Sequence, residues 1–253
     1  MFIIRRLIIL FVPVFWIAGL ELVKQNSGFL TPVAIFFLGY LFFAILIVCR
    51  GRLDGAFWHF LILPVIFAAS SFFFFLFLTS ELNFHLLVSL TGGALYLILH
   101  QYFTYVHFPS KYQPYTLENL TFYISIFSIF FIFSCAFASL ILIQWSIFYL
   151  ISVILLVMAV IIYKYFWVHK ISIAEGWLFI LIILLAQVEI FVAVSYLPTS
   201  YYVDAFILTV ASYLMLGLSK NAILSSSNKK QTIIQLSVAA ILLFAVLASA
   251  KWG

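Results

Sequence analysis

Apolar runs of membrane-crossing length recur along this chain, cut at short intervals by charges, prolines and glycines. A helix crossing a bilayer needs roughly 20 mostly apolar residues. The breaks predict nine such helices, over 7–23, 29–49, 56–79, 84–107, 118–143, 145–168, 174–197, 201–219 and 231–250. The narrowest break is LIQWSIF, where Gln144, Trp145 and Ser146 must turn tightly. Without that turn, residues 118–168 would form one helix far too long to span once. The pattern therefore predicts an all-α, polytopic transmembrane helix bundle, a single transmembrane domain over 1–253 joined by short loops. An arrangement of four, one and four helices would give two halves of inverted topology, but residues 1–107 and 145–253 show no self-similarity.

Within the spans, small and polar residues mark the faces where helices meet, because lipid supplies little hydrophobic drive between them. In the fourth span His85, Ser89, Gly93, Tyr96, His100, Thr104 and His107 recur in steps of three and four. That spacing puts all seven on one helical face, which is expected to be buried or to line a polar cavity. In the fifth span Glu118, Thr121, Ser125, Ser128, Ile132, Cys135 and Ser139 form a second stripe, read as a packing seam. In the seventh, Ala186, Glu189, Ala193 and Tyr196 share a face. A carboxylate inside a bilayer costs roughly 2.5–3.5 kcal/mol on insertion scales, so Glu189 is expected to point inward, protonated, hydrogen-bonded or wet. Gln187 falls elsewhere on that helix and reads as polar packing.

Composition agrees with the pattern. Of 253 residues, 67% are hydrophobic and 8% charged, against about 45–50% and about 25% in soluble domains. The net charge of +5 has a topological source. Threading nine spans puts Arg5, Arg6, Arg50, Arg52, Lys111, Lys164, Lys170, Lys220, Lys229 and Lys230 on one side, and only Lys24 and Lys251 on the other. Basic residues flank spans on the cytoplasmic side, which predicts a cytoplasmic N-terminus and an extracytoplasmic C-terminus. The basic balance is thus an orientation signal, and no nucleic-acid partner is expected. Trp58, Trp145, Trp167, Trp177 and Trp252 fall at span ends, as an aromatic belt requires, while Trp16 lies inside the first span. The N-terminus resembles a signal peptide but lacks a clear cleavage site, and is read as a retained first helix.

Catalytic and cofactor signatures are sparse. The motifs H-E-x-x-H and G-x-S-x-G, a P-loop and a dinucleotide fingerprint are absent. Cys49 and Cys135 form neither a disulfide framework nor a metal-ligand spacing. His59, His107 and His169 lie at cytoplasmic span ends, His100 a few turns in, and His85 alone on the outer side. Paired haems would need a second helix with two histidines inside the membrane, and none exists. One haem or one metal stays open, but the expectation is no cofactor and no metal. Lys220 is too shallow for a buried Schiff base, and the KQNSG loop after Glu21 is too short for lipid-linked sugar transfer. Asp204 follows SYLPTSYY, where Pro198 ends a helix and Thr199 or Ser200 can cap the next. There a carboxylate in the first turn complements the helix dipole. An outer cluster of His85, Glu189 and Asp204 is a further expectation.

The run SYLPTSYYVDAFILTVASYLMLGL, following a span with a buried Glu, resembles a pattern in uncharacterised multi-helix membrane proteins of candidate-phyla (Patescibacteria-type) bacteria. The similarity covers residues 175–219, with YTLENLTFYI at 115–124 as a second stretch. It implies a protein integral to the bacterial plasma (inner) membrane, and it transfers no catalytic residues. Three functional readings follow. The first is a small transporter- or channel-like protein with a polar path along the fourth span, contacted by Glu189, His100, His85, Tyr96 and Asp204. The second is a non-catalytic membrane scaffold or assembly subunit. The third is an intramembrane lipid-modifying enzyme with His100 or Glu189 as acid/base. The bilayer is the first expected partner, followed by a small polar solute or ion, or membrane protein partners.

Overall fold

A computed structural model describes residues 2–224 and 229–250, with side chains from residue 6 onward except residue 231. Lys251, Trp252 and the side chain of Arg5 lie outside the described residues. The fold is all-α. Among the described residues nine helices are long and apolar enough to cross a membrane. They are α1 (Phe2–Gln25), α2 (Leu30–Val48), α3 (Gly55–Phe75), α4 (Glu81–His107), α5 (Thr116–Ala138), α6 (Ile147–Val168), α7 (Ile173–Val194), α8 (Tyr201–Ile223) and α9 (Lys229–Ser249). The protein is thus built as an integral membrane protein.

The helix ends have local causes. Asp54 caps α3 by accepting from the Phe57 N–H at 3.0 Å. Ser172 and Glu175 form a reciprocal capping box at the start of α7. Arg50 ends α2 in the left-handed region at φ 58°, and Gly51 follows at φ 77°, a conformation glycine adopts without penalty. There the Gly51 N–H reaches back to the Leu46 carbonyl at 2.8 Å. Lys170 ends α6 the same way at φ 59°, with the Ile171 N–H on the Phe166 carbonyl at 3.0 Å. The predicted turn at Gln144 is present: α5 widens into a π-helical turn over Ser139–Ile143, and Gln144 closes it at φ 58°.

Several helices outrun their apolar stretches. The apolar run in α8 stops near residue 219, yet the helix continues through Lys220 and Asn221 to Ile223. There the Asn221 amide donates to Gln235 Oε1 of α9 at 3.4 Å. Hydropathy marks membrane depth, whereas backbone hydrogen bonding sets helix length.

The chain divides into two compact units, residues 1–124 and 125–253, with the division inside α5. In the first unit α1 packs most extensively along α4, while α2 contacts α1, α3 and α4. In the second unit the extensive pairings join sequence neighbours: α6 with α7, α7 with α8, and α8 with α9. There α5 meets α7 through Phe137 and Phe191, with ring centroids 4.7 Å apart.

Candidate functional site

Several polar contacts of residues 1–124 line up where α1 runs antiparallel to α4. At mid-helix the Trp16 indole donates to Thr91 Oγ1 at 2.9 Å. Gly92 lets α1 approach closely, since a Cβ there would stand 3.3 Å from Trp16 and 3.5 Å from Pro13. Near the end of α1, Glu21 Oε1 and His85 Nδ1 are 2.8 Å apart, and Lys24 Nζ lies 3.4 Å from Glu81 Oε1. The first span's interior tryptophan is therefore explained: Trp16 is buried, and its N–H is bonded across the helix pair.

The α4 stripe is not the buried face of that helix, which corrects the expectation. The core side carries Phe84, Val88, Thr91, Gly92, Leu95, Leu99 and Tyr102. Phe84, Val88, Gly92, Leu95 and Leu99 each stand one residue before a stripe position, a rotation of about 100°, and Thr91 and Tyr102 stand two before. His85 and Ser89 are exposed, while Tyr96, His100, Thr104 and His107 are half-buried. Much of their polarity is satisfied locally. Thr104 donates to the His100 carbonyl at 2.9 Å, the Tyr96 and His100 rings lie 5.7 Å apart, and His107 stacks on Phe103 at 4.3 Å. The stripe of α5 is buried at Thr121, Ser125, Ser128 and Ser139.

A cavity of about 290 Å³ opens at the Lys24 end of this unit. Its apolar wall comes from Leu20, Phe72, Phe75 and Phe84, and Lys24 and Glu81 supply its charges. The Lys24 ammonium sits over the Phe84 ring, 4.9 Å from the centroid. The side chains of Lys24 and Glu81 are 32% and 83% exposed, so their ion pair is weak, of the order of 0–1 kcal/mol.

In residues 125–253 one of the two acids departs from its expected place. Glu189 is exposed, not inward-facing. It continues a stripe of exposed side chains on α7 through Leu178, Ile182, Leu185, Ala193 and Tyr196. The buried polar group of α7 is Gln187, two residues away and thus about 200° round the helix. Its amide donates to Ser212 Oγ of α8 at 2.8 Å. An amide is far cheaper to bury than a carboxylate, so packing selects Gln187.

Asp204 lies in the first turn of α8, as expected, but is 2% exposed. The Thr199 hydroxyl donates to its carboxylate, and Ser200 at the N-cap makes no side-chain bond. His85 is engaged by Glu21, Asp204 by Thr199, and Glu189 faces outward. Among the described residues, no three His, Cys, Asp or Glu side chains come together as a metal ion requires.

One buried cation lies where the charge pattern predicts a flanking one. Lys164 is completely buried in α6, its ammonium 4.2 Å from the Trp167 ring centroid. The signal was present: lysine and tryptophan three apart on a helix share a face.

No family model matches the chain, and no curated protein or solved structure matches it either.

Proposed function

We propose that the protein is a membrane assembly subunit that receives a partner helix on the exposed face of α7. The supporting observation is the exposure of Glu189 at helical register with Leu185, Ala193 and Tyr196. Glu189 lies five residues before the end of α7, roughly 7–8 Å inward at 1.5 Å per residue. A carboxylate at that depth is costly against lipid. A neighbouring helix with a hydrogen-bond donor or cation removes that cost, and Ala193 beside it permits close approach.

The alternative is a polar path for an ion or small solute along α4, touched by His85, Tyr96 and His100. It draws less support, because those side chains stand on a half-exposed flank and His85 is held by Glu21. We place the protein in a bacterial inner membrane with its N-terminus in the cytoplasm, from the distribution of basic residues and the resemblance of residues 175–219.

Photo-crosslinking from residue 185 in intact membranes tests the assembly reading. A discrete protein adduct is expected, lost in Glu189→Leu and retained in Phe244→Leu, a change on the exposed face of α9. Lipid adducts alone, or a protein adduct indifferent to Glu189→Leu, would overturn it.

A further inference from the structure

We propose that the cavity at the Lys24 end of residues 1–124 binds the headgroup of a zwitterionic phospholipid bearing a primary ammonium. The observations are independent of α7. The walls come from the last turns of α1 and α3 and the first turn of α4, with Leu20, Phe72, Phe75 and Phe84 facing Lys24 and Glu81. In membrane-spanning helices those turns lie at headgroup depth. At about 290 Å³ the space sits at the small end of ligand cavities, roughly 300–1,000 Å³. It suits a headgroup and not a whole lipid.

The charges select the headgroup. The cavity offers one cation and one anion 3.4 Å apart. A phosphate and an ammonium joined by two carbons can insert between them. The phosphate takes Lys24 together with the first-turn N–H groups of α4, where Ser80 makes no side-chain cap. The ammonium takes the exposed Glu81 carboxylate, while Lys24 stays over the Phe84 ring, 4.9 Å from its centroid. Glu81 opposes a purely anionic headgroup. A trimethylammonium group donates no hydrogen bond to a carboxylate, so the primary ammonium is preferred. Leu20, Phe72 and Phe75 continue into Leu76, which is 49% exposed and able to meet an acyl chain.

The test is native mass spectrometry of the full chain, exchanged into mixed vesicles of phosphatidylethanolamine, phosphatidylcholine and phosphatidylglycerol. One phosphatidylethanolamine should be retained per chain, about tenfold over either competitor, the scale of one charge-assisted contact. Lys24→Gln and Glu81→Gln should each abolish most of that preference, Lys24→Arg should restore it, and Leu242→Ala on α9 should leave it unchanged. Thermal unfolding of each variant separates loss of binding from loss of fold. Equal retention of the three lipids, or an unchanged preference in a folded Glu81→Gln chain, would overturn the proposal. Displacement of the lipid by free phosphoethanolamine at similar concentration would show a soluble ligand and overturn the assignment to lipid.

Discussion

The indole N–H of Trp16 donates to the hydroxyl of Thr91 at 2.9 Å, and both residues are buried where α1 lies along α4. Thr91 also bonds its own helix, donating toward the Leu87 carbonyl at 2.8 Å. The hydroxyl therefore ties the two helices together, one hydrogen given to α4 and one accepted from α1. Trp16→Phe removes the interhelical half together with part of the ring volume, and keeps an aromatic ring among Phe37, Phe72 and Phe75, which surround the indole. The hydrogen-bond share of the loss is about 0.6 kcal/mol and at most roughly 1.7, the range of hydrogen bonds between membrane helices, and the smaller ring adds a packing cost to it. Thr91→Val should cost a similar amount, and the double variant little more. Unfolding in mixed detergent micelles reads all three, and additive losses would show that the two side chains are not coupled.

Close approach in the second unit depends on Gly176. A Cβ there would lie 2.8 Å from the Phe166 ring, whereas one at Gly39 meets nothing within 4 Å. An aromatic ring cannot yield as the end of a flexible chain can. Gly176→Ala should therefore destabilise by about 1–3 kcal/mol. Gly39→Ala should stabilise by up to about 1 kcal/mol, from helix propensity alone. The same micelle unfolding assay compares them, and equal effects would contradict the packing at α6–α7.

The number of helices was legible because a spanning helix has a length set by the bilayer, and even the turn at Gln144 followed from that limit. The faces were not legible. In a soluble helix an apolar stripe reports the inside, but here lipid and protein interior are both apolar. Polarity then becomes the guide, and it misleads in α7. Glu189 is the more polar residue, yet Gln187 is the one buried, because its NH2 group donates to Ser212 and its unbonded carbonyl oxygen costs less than a buried charge. In α4 the conspicuous histidines mark a flank, while Thr91 and Gly92 make the contact. Lys164 was counted by its position near a helix end, and a position along the axis carries no information about which side of the helix it occupies.

Cys49 follows the last residue of α2 and is 8% exposed. Burial, reinforced by the nearby Asp54 carboxylate, pushes its thiol up to about 11. The thiolate is the reactive form, so alkylation at pH 8 should be at least about 100-fold slower in the folded chain than in the denatured one. The raised value also links to stability. The protonated thiol favours the folded chain, a contribution fully present below the ordinary value of 9.0 and lost as pH climbs through about 11. Asp54→Asn keeps a capping side chain and removes the smaller cause, so it should lower the alkylation midpoint slightly. A midpoint near the ordinary value in the folded protein would contradict the buried placement.

Lys164 separates packing from charge. Its four-carbon stem is enclosed in α6, and its ammonium rests over Trp167. Lys164→Met keeps most of the stem volume and removes the charge, while Lys164→Ala removes both. Replacing a buried ionic group with an apolar one of similar size is often neutral or stabilising, and a volume-conserving swap rarely costs more than about 1.5 kcal/mol. Truncation to alanine opens a cavity and should cost about 2–5 kcal/mol. The expected order of stability in mixed micelles is therefore methionine at or near the native chain, with alanine well below. If methionine fell as far as alanine, the ammonium and not the stem would be holding this end of α6. Trp167→Leu would then show a comparable loss, because the ring that faces the charge would be part of the same interaction.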